Sequence, residues 1–142
     1  MKNLSFLVIC TGNSCRSQMA EAYLRHFAKI HNLKASIFSA GIEAHGVNPK
    51  VIDTLSDDNI DISKHTSNTI DEYIKHDISH IITVCDHANE NCPIFPKKTI
   101  KTHQNFYDPT KATGSEHEIN EAFKKTRIQI KKFCENYINQ FI

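Results

Sequence analysis

The decapeptide VICTGNSCRS, residues 8–17, joins the end of an apolar run to the start of a helical pattern. The apolar run, LSFLVIC at residues 4–10, is typical of a β-strand that is buried on both faces. Beyond the decapeptide, apolar side chains recur at helical spacing as far as Ile30, which predicts a helix over residues 17–30. A loop of small and polar residues therefore follows a buried strand directly and leads into a helix.

Three more segments are predicted to be strands, at residues 35–41, 79–85 and 99–103. Helix starts are indicated by three residue pairs: Asn48 with Pro49, Thr69 with Glu72, and Ser115 with Glu118. Strands that alternate with helices predict an α/β fold, in which a four-stranded parallel sheet carries helices on both faces. Because ligands bind beyond the carboxyl ends of such strands, Cys10 and Cys85 should share the functional edge.

The composition is that of an ordinary globular protein, with 39% hydrophobic and 23% charged residues, and one domain is expected over residues 1–142. A formal net charge of +1 gives no general attraction to nucleic acid or to anionic membranes. The first apolar run is too short for a membrane span or an export signal, so we expect the protein to be cytoplasmic. We also expect a monomer. In a reducing compartment the five cysteines favour metal binding or redox chemistry over structural disulfides.

The loop after the first strand has the composition of an oxyanion-binding cradle, because its backbone N–H groups can converge on a tetrahedral oxyanion. Gly12 and Asn13 tolerate left-handed backbone conformations, and Arg16 adds a planar guanidinium that can grip two oxygens. The same positive field would stabilise a nucleophilic thiolate at Cys10, with Ser17 as its hydrogen-bond donor. The predicted oxyanion-binding residues are Thr11, Gly12, Asn13, Ser14, Cys15 and Arg16.

Asp108 and the pair Cys85 and Cys92 are further candidates for chemistry. Displacement at an oxyanion needs a proton donor, and Asp108 could supply it, although on spacing alone an aspartate that opens a turn is the better interpretation. Two thiols that become one disulfide supply two electrons, so the cysteines on either side of DHANEN suit a reductase. Two buried, inert cysteines are an equal alternative. A metal pair is disfavoured because no second cysteine pair completes a tetrahedral site.

Several segments, in order along nearly the whole chain, resemble one known family. CTGNSCRSQMAEA, residues 10–22, is similar to the phosphate-binding loop of the low-molecular-weight protein tyrosine phosphatase fold, and most similar to that of its thioredoxin-coupled arsenate reductases. SAGIEAHGVNPK, DISKHTSNTID, VCDHANENCPIFP and FYDP resemble further segments of that family. The resemblance implies this fold, arsenate as substrate, arsenite as product, and Asp108 as the general acid.

The resemblance also implies an order of thiol chemistry, which we call the three-cysteine relay. Cys10 attacks arsenate. Cys85 then attacks Cys10, so that arsenite leaves and a Cys10–Cys85 disulfide forms. Cys92 attacks Cys85 in turn, and thioredoxin reduces the resulting Cys85–Cys92 disulfide, with no bound cofactor. Cys15 and Cys134 are not members of the relay and are expected to be packing residues.

Two other functions are compatible with the sequence. A phosphatase would use Cys10, Arg16 and Asp108 only, and its phosphotyrosine-specific relatives usually carry an aromatic residue where this chain has Thr110. A metalloid sensor would bind arsenite through its cysteines without turnover, but no DNA-binding element accompanies them. The cysteine pair and Thr110 favour the reductase, with a weak phosphatase side activity.

Some members of the family hold a potassium ion beside the loop, which implies a site formed here by Asn13, Glu21, Ser39, Thr66 and Asn68. Asn68 stands where those members have an aspartate. Because losing one negative ligand weakens a site for a hard cation, the sequence predicts at most weak potassium binding.

Overall fold

A parallel sheet organises the chain in the computed structural model, which describes residues 3–142. Its four strands are β1 (Leu4–Cys10), β2 (Ala35–Gly41), β3 (His80–Thr83) and β4 (Ile100–His103), in the spatial order β2-β1-β3-β4. Every neighbouring pair is parallel, and β1 lies between β2 and β3. The predicted α/β fold with four parallel strands is confirmed.

The described residues form four α-helices: α1 (Arg16–Ile30), α2 (Pro49–Ser56), α3 (Asp86–Glu90) and α4 (Glu116–Asn139). The predicted caps of α2 and α4 are present, because Asn48 Oδ1 accepts from Lys50 N at 2.8 Å and Ser115 Oγ accepts from Glu118 N at 3.1 Å. Thr69 precedes only a 3₁₀ turn, Ile70–Glu72, and a second such turn spans Pro109–Lys111. No helix within residues 3–142 is long and apolar enough to cross a membrane.

The segment after β3 differs from the sequence prediction. β3 ends at Thr83 rather than at Cys85, because Cys85 is already the N-cap of α3. The sequence predicts no element at residues 86–90, where Asp86 and Asn89 are poor helix formers, and the structure places α3 there. Tertiary contacts override this weak propensity, and Ala88 of α3 is fully buried.

β1 lies at the centre of the core, and its residues Phe6, Leu7, Val8 and Ile9 are all fully buried. This burial explains why the strand reads as a continuous apolar run rather than an alternating one. On α4, Cys134 is also fully buried, with its Sγ 3.5 Å from Ala20 O of α1. Cys134 therefore joins the contact between α1 and α4, in agreement with the packing role expected for it.

The strand order reverses direction between β1 and β3. The connection through α1 leads from β1 to β2, whereas the connection through α3 leads the opposite way, from β3 to β4. Right-handed connections therefore place α1 and α3 on opposite faces of the sheet. A crevice opens beyond the carboxyl ends of the strands at such a reversal, and Cys10 and Cys85 lie at this edge.

Candidate active site

The loop between β1 and α1 is held from outside by the segment that follows β2. Three of its carbonyl groups accept backbone hydrogen bonds from that segment: Thr11 O from Glu43 N (2.8 Å), Gly12 O from His45 N (2.9 Å) and Ser14 O from Asn48 N (3.0 Å). None of the hydrogen bonds found among residues 3–142 uses a backbone N–H of residues 11–15 as the donor. These N–H groups, at the start of α1, are thus available to an oxyanion.

Asn13 fixes the conformation of this loop. It is fully buried and has a φ of 47°, in the left-handed region that asparagine tolerates. Its side-chain Nδ2 donates to Ser17 Oγ and to Ser39 Oγ, each at 2.9 Å, and its Oδ1 accepts from Asn68 N at 2.8 Å. Both N–H donors and the carbonyl oxygen of this amide therefore hold the turn.

The predicted contact between Cys10 and Ser17 is present. Ser17 Oγ lies 2.8 Å from Cys10 Sγ, and both residues are buried. Because Ser17 Oγ already accepts from Asn13 Nδ2, its own hydrogen is left for the sulfur. Ser39 in turn donates to Glu21 Oε1 at 2.5 Å, so a buried chain of hydrogen bonds runs from a carboxylate to the Cys10 sulfur.

Arg16 and Asp108 meet at the mouth of the site. Arg16 Nη1 donates to Phe106 O at 3.0 Å, and Nη2 lies 3.7 Å from Asp108 Oδ2. Asp108 Oδ1 accepts from both the backbone N–H and the hydroxyl of Thr110, at 3.0 and 2.6 Å. One carboxylate oxygen is thereby anchored in the turn, while the other faces the guanidinium. The cleft here has a volume of about 650 Å³, and its lining includes Thr11, Arg16, Cys85, Tyr107, Asp108 and Lys111.

The structure brings Cys85, but not Cys92, to the loop between β1 and α1, residues 11–15, which we call the oxyanion loop after its predicted role. Cys85 is buried, and its Sγ lies 3.4 Å from Thr11 Oγ1. Cys92 lies beyond the other end of α3, half-buried, where its thiol donates to Pro93 O at 3.6 Å. All five cysteines are free thiols in this structure.

Burial raises the pKa values of the other three thiols. Desolvation raises the pKa of Cys15 well above its usual range, and the charges of Asp108 and Cys10 add to the shift. Burial alone raises the pKa of Cys134 in the same way. The pKa of Cys92 is also raised by burial, against the opposing charge of Lys101. Cys15 and Cys134 are thus poor nucleophiles, in keeping with packing roles.

The residues implied for a potassium site do not fit a resident cation. Glu21 Oε1 accepts from Ser39, and Glu21 Oε2 lies 2.9 Å from Arg25 Nε. The amide of Asn68 is neutral, and its Oδ1 accepts from Thr66 Oγ1 at 2.6 Å. Within residues 3–142, no group of three or more His, Cys, Asp and Glu side chains could hold a metal ion. The Arg25 guanidinium supplies the positive charge beside Glu21.

Three supporting residues were missed by the sequence analysis. Gln18 is fully buried, and its Nε2 donates to Asn13 O at 3.0 Å and to Thr66 O at 2.9 Å. Ser67 Oγ donates to the same Asn13 carbonyl at 2.9 Å, and His65 Nδ1 lies 2.9 Å from Gln18 Oε1. Burial lowers the pKa of His65, against the nearby charge of Glu21. The one signal in the sequence that could have indicated these supporting residues was a glutamine on the inward face of α1, next to Ser17.

Comparison with known proteins agrees with this geometry. The family model for low molecular weight phosphotyrosine protein phosphatase matches residues 5–141. Arsenate reductase 2 of Staphylococcus epidermidis is 44% identical over 137 residues, which cover 96% of this chain and 98% of that protein. The structure of an arsenate reductase in a phosphate-binding state has a TM-score of 0.80 at 28% identity, covering 96% and 98% of the two chains.

A low molecular weight protein tyrosine phosphatase from T. tengcongensis shares the fold, with a TM-score of 0.82 at 21% identity over 97% of this chain and 99% of that one. The chain therefore belongs to the low molecular weight phosphotyrosine protein phosphatase family. Because proteins of this fold include both reductases and phosphatases, the reaction has to be argued from the residues around the loop.

Gly41 offers a test of how tightly the loop is held. A Cβ at this position would overlap Glu43 O and lie 2.7 Å from both Asn13 N and Thr11 O, so backbone atoms of the loop would have to move. We expect Gly41→Ala to weaken the binding of inorganic phosphate by about tenfold or more, a loss of roughly 1.4 kcal/mol, as measured by calorimetry.

Gly46→Ala is the matched control. Nothing lies within 4 Å of a Cβ there, so only the positive φ of 84° carries a cost, of about 1–2 kcal/mol in stability. Phosphate binding by Gly46→Ala should match the wild type. Wild-type affinity in Gly41→Ala would show that the loop tolerates displacement and that its geometry is not fixed by β2.

Proposed function

We propose that this protein reduces arsenate to arsenite by the three-cysteine relay and is regenerated by thioredoxin. The observation that carries the proposal is the position of Cys85, whose sulfur lies 3.4 Å from Thr11 of the oxyanion loop, with Cys92 beyond the far end of a short helix. A phosphatase has no use for either thiol. The family relatives named arsenate reductase, at 44% identity over nearly the whole chain, support the same conclusion.

The first step is displacement of an arsenate oxygen. The Cys10 thiolate, hydrogen-bonded by Ser17, attacks arsenic while the loop N–H groups and Arg16 hold the remaining oxygens. The departing oxygen takes a proton from Asp108 and leaves as water, so that a Cys10–arsenic bond replaces an arsenic–oxygen bond. Arg16 has N–H donors beyond the one that contacts Phe106 O, and these can face the oxyanion in this step.

The second step transfers the electrons. Cys85 attacks the Cys10 sulfur, the sulfur–arsenic bond breaks with its electron pair on arsenic, and arsenite leaves. The two sulfurs are oxidised to a disulfide as As(V) becomes As(III). Cys92 then attacks Cys85, which frees Cys10 as a thiolate and forms Cys85–Cys92. The thioredoxin dithiol returns two electrons and two protons to this disulfide.

The setting of the reaction follows from the same chemistry. Three thiols that cycle through disulfides need a reducing compartment, so we expect the chain to act in the cytoplasm. We expect it to act there as a single-domain monomer.

A second candidate is a phosphatase activity on the same loop, since Cys10, Arg16 and Asp108 suffice for it. Thr110, rather than an aromatic residue, follows Asp108 and Pro109, and its hydroxyl is bonded to the acid itself. Thr110 therefore supplies no ring at the position where phosphotyrosine-specific relatives usually carry one. We therefore expect weak hydrolysis of small phosphate esters as a side activity.

Cysteine variants separate the two reactions. Cys10→Ser should abolish both arsenate reduction and p-nitrophenyl phosphate hydrolysis, because an alcohol in the cradle does not ionise near neutral pH. Cys85→Ser and Cys92→Ser should each stop arsenate-dependent NADPH oxidation with thioredoxin and thioredoxin reductase, yet leave ester hydrolysis within about twofold of the wild type.

Cys134→Ala is the control, since it removes a buried thiol outside the relay and should retain both activities after a modest loss of stability. Equal loss of reduction and hydrolysis in Cys85→Ser and Cys92→Ser would mean that these cysteines are structural. The proposed relay would then be wrong.

Arg16→Lys tests whether geometry or charge holds the oxyanion. Lysine keeps the positive charge but cannot present two parallel N–H donors, so kcat/KM for arsenate should fall roughly hundredfold. The kcat/KM for ester hydrolysis should fall as well, because both reactions use the same contacts between Arg16 and the oxyanion. Wild-type turnover of either substrate would contradict a bidentate role for Arg16.

We infer that the protein works without potassium, because Arg25 already pairs with Glu21. The melting temperature and kcat should be the same in potassium chloride and in choline chloride at equal ionic strength. A ligand that binds only the folded chain raises its stability in proportion to RT ln(1 + [L]/Kd). A rise of several degrees in the wild type in potassium chloride, absent in choline chloride, would contradict this inference.

A further inference from the structure

The helix between the two outer relay cysteines is held by side chains from the edge of the sheet. Lys101 Nζ donates to Asn89 O at 3.2 Å, at the end of α3. His103 Nε2 lies 2.8 Å from Asp86 Oδ1, and Asn105 Oδ1 accepts from Asp86 N at 3.1 Å, both at its start. We call Lys101, His103 and Asn105 the β4 clamp. They are alternate residues along and just beyond β4, so they share one side of it.

The clamp is built on a rigid base. His103 pairs in register with Thr83 of β3, and its Nδ1 lies 2.7 Å from the hydroxyl of Thr83, which is fully buried. Because a carboxylate only accepts hydrogen bonds, the Nε2–H of His103 donates to Asp86. Both ring nitrogens are therefore engaged, which fixes the orientation of the imidazole between the sheet and α3.

α3 needs such support. It spans only five residues, whereas isolated helices shorter than about 12 residues are marginal in water. Its one buried side chain is Ala88, which contributes little apolar area. Asp86 and Asn89, the two residues that the clamp contacts, are also poor helix formers. The conformation of the segment thus depends on contacts from outside it.

A Cys85–Cys92 disulfide is incompatible with that conformation. A disulfide needs its Cα atoms within about 4.4–6.8 Å. Cys85 is the N-cap of α3 and Cys92 follows its C-cap, Asn91, so a rise of about 1.5 Å per residue along the helix holds the two Cα atoms roughly 10 Å apart. The segment has to unwind or bend before the two sulfurs can join. Lys101, on β4, and Asn89 O cannot remain together when α3 unwinds.

We propose that the β4 clamp holds the segment in its helical dithiol form and thereby sets how readily the Cys85–Cys92 disulfide forms. The clamp residues are positioning residues: they keep Cys85 against Thr11, and they oppose early pairing with Cys92. The inference rests on the proposed relay. The β4 clamp adds residues of the sheet edge to the reacting sulfurs of that relay.

The test measures the dithiol–disulfide equilibrium of the full-length chain. Mixtures of reduced and oxidised dithiothreitol exchange two electrons and two protons with Cys85 and Cys92. After acid quenching and alkylation, mass spectrometry quantifies the fraction of the protein in which a disulfide joins these two cysteines. The variants are Lys101→Met and His103→Asn, whose amide can still reach Thr83 but is too short to reach Asp86. Lys98→Met, which removes an exposed lysine three residues from Lys101, is the control.

Losing a clamp contact destabilises only the dithiol form, so each variant should raise the equilibrium constant for disulfide formation by about threefold to tenfold. Lys98→Met should leave it unchanged. His103→Asn is the sharper test, because it retains the Lys101 charge near Cys92. In the reduced protein, amide exchange over residues 86–92 should also accelerate in both variants, while exchange in β3 stays constant.

The outcomes separate the clamp from the relay. Equal equilibrium constants in the wild type and both variants would overturn the clamp and leave the relay intact. A Cys85–Cys92 disulfide that forms at no dithiothreitol ratio, even in the wild type, would overturn both. If both variants instead lowered the melting temperature and the rate of ester hydrolysis while the equilibrium constant stayed the same, these residues would be merely structural. The proposal would then be wrong.

Discussion

The buried amide of Asn13 is the constraint on which the rest of the site depends. Its backbone is in the left-handed region, and its side chain is bonded to Ser17, to Ser39 and to the backbone of Asn68. The same amide therefore sets the turn of the loop and directs the Ser17 hydroxyl toward Cys10. Donation runs outward from the Asn13 amide in two directions, through Ser39 to the Glu21 carboxylate and through Ser17 to the Cys10 sulfur.

The reversal of strand order then determines which groups meet this loop. β1 delivers Cys10, while the segments after β3 and β4 deliver Cys85 and Asp108 to the same edge. Arg16, at the start of α1, bridges the loop and the acid through its contacts with Phe106 O and Asp108. Two kinds of reaction step can thus take place at the same oxyanion site: proton transfer from Asp108 and electron transfer from the thiols.

Much of this arrangement could be predicted from the sequence, because it depends on local patterns. The apolar run of β1, the cap at Asn48 and the capping box at Ser115 each act over a few residues, and all are present in the structure. The Cys10–Ser17 contact was predicted for the same reason, since a strand–loop–helix sequence fixes both ends of the loop. The helix α3 could not be predicted in this way, because its stability comes from residues of β4 that lie more than ten positions away. The roles of Gln18 and Arg25 also depend on distant carbonyl and carboxylate groups, which no local pattern reveals.

The central claim is that the electrons that reduce arsenate come from three thiols of one chain. A single-turnover experiment tests it most directly: fully reduced protein is mixed with excess arsenate in the absence of any external reductant, and arsenite and disulfides are quantified after acid quenching. We expect a single equivalent of arsenite per chain, with Cys85 and Cys92 joined and Cys10 free. No arsenite, or arsenite formed while Cys85 and Cys92 remain thiols, would contradict the account.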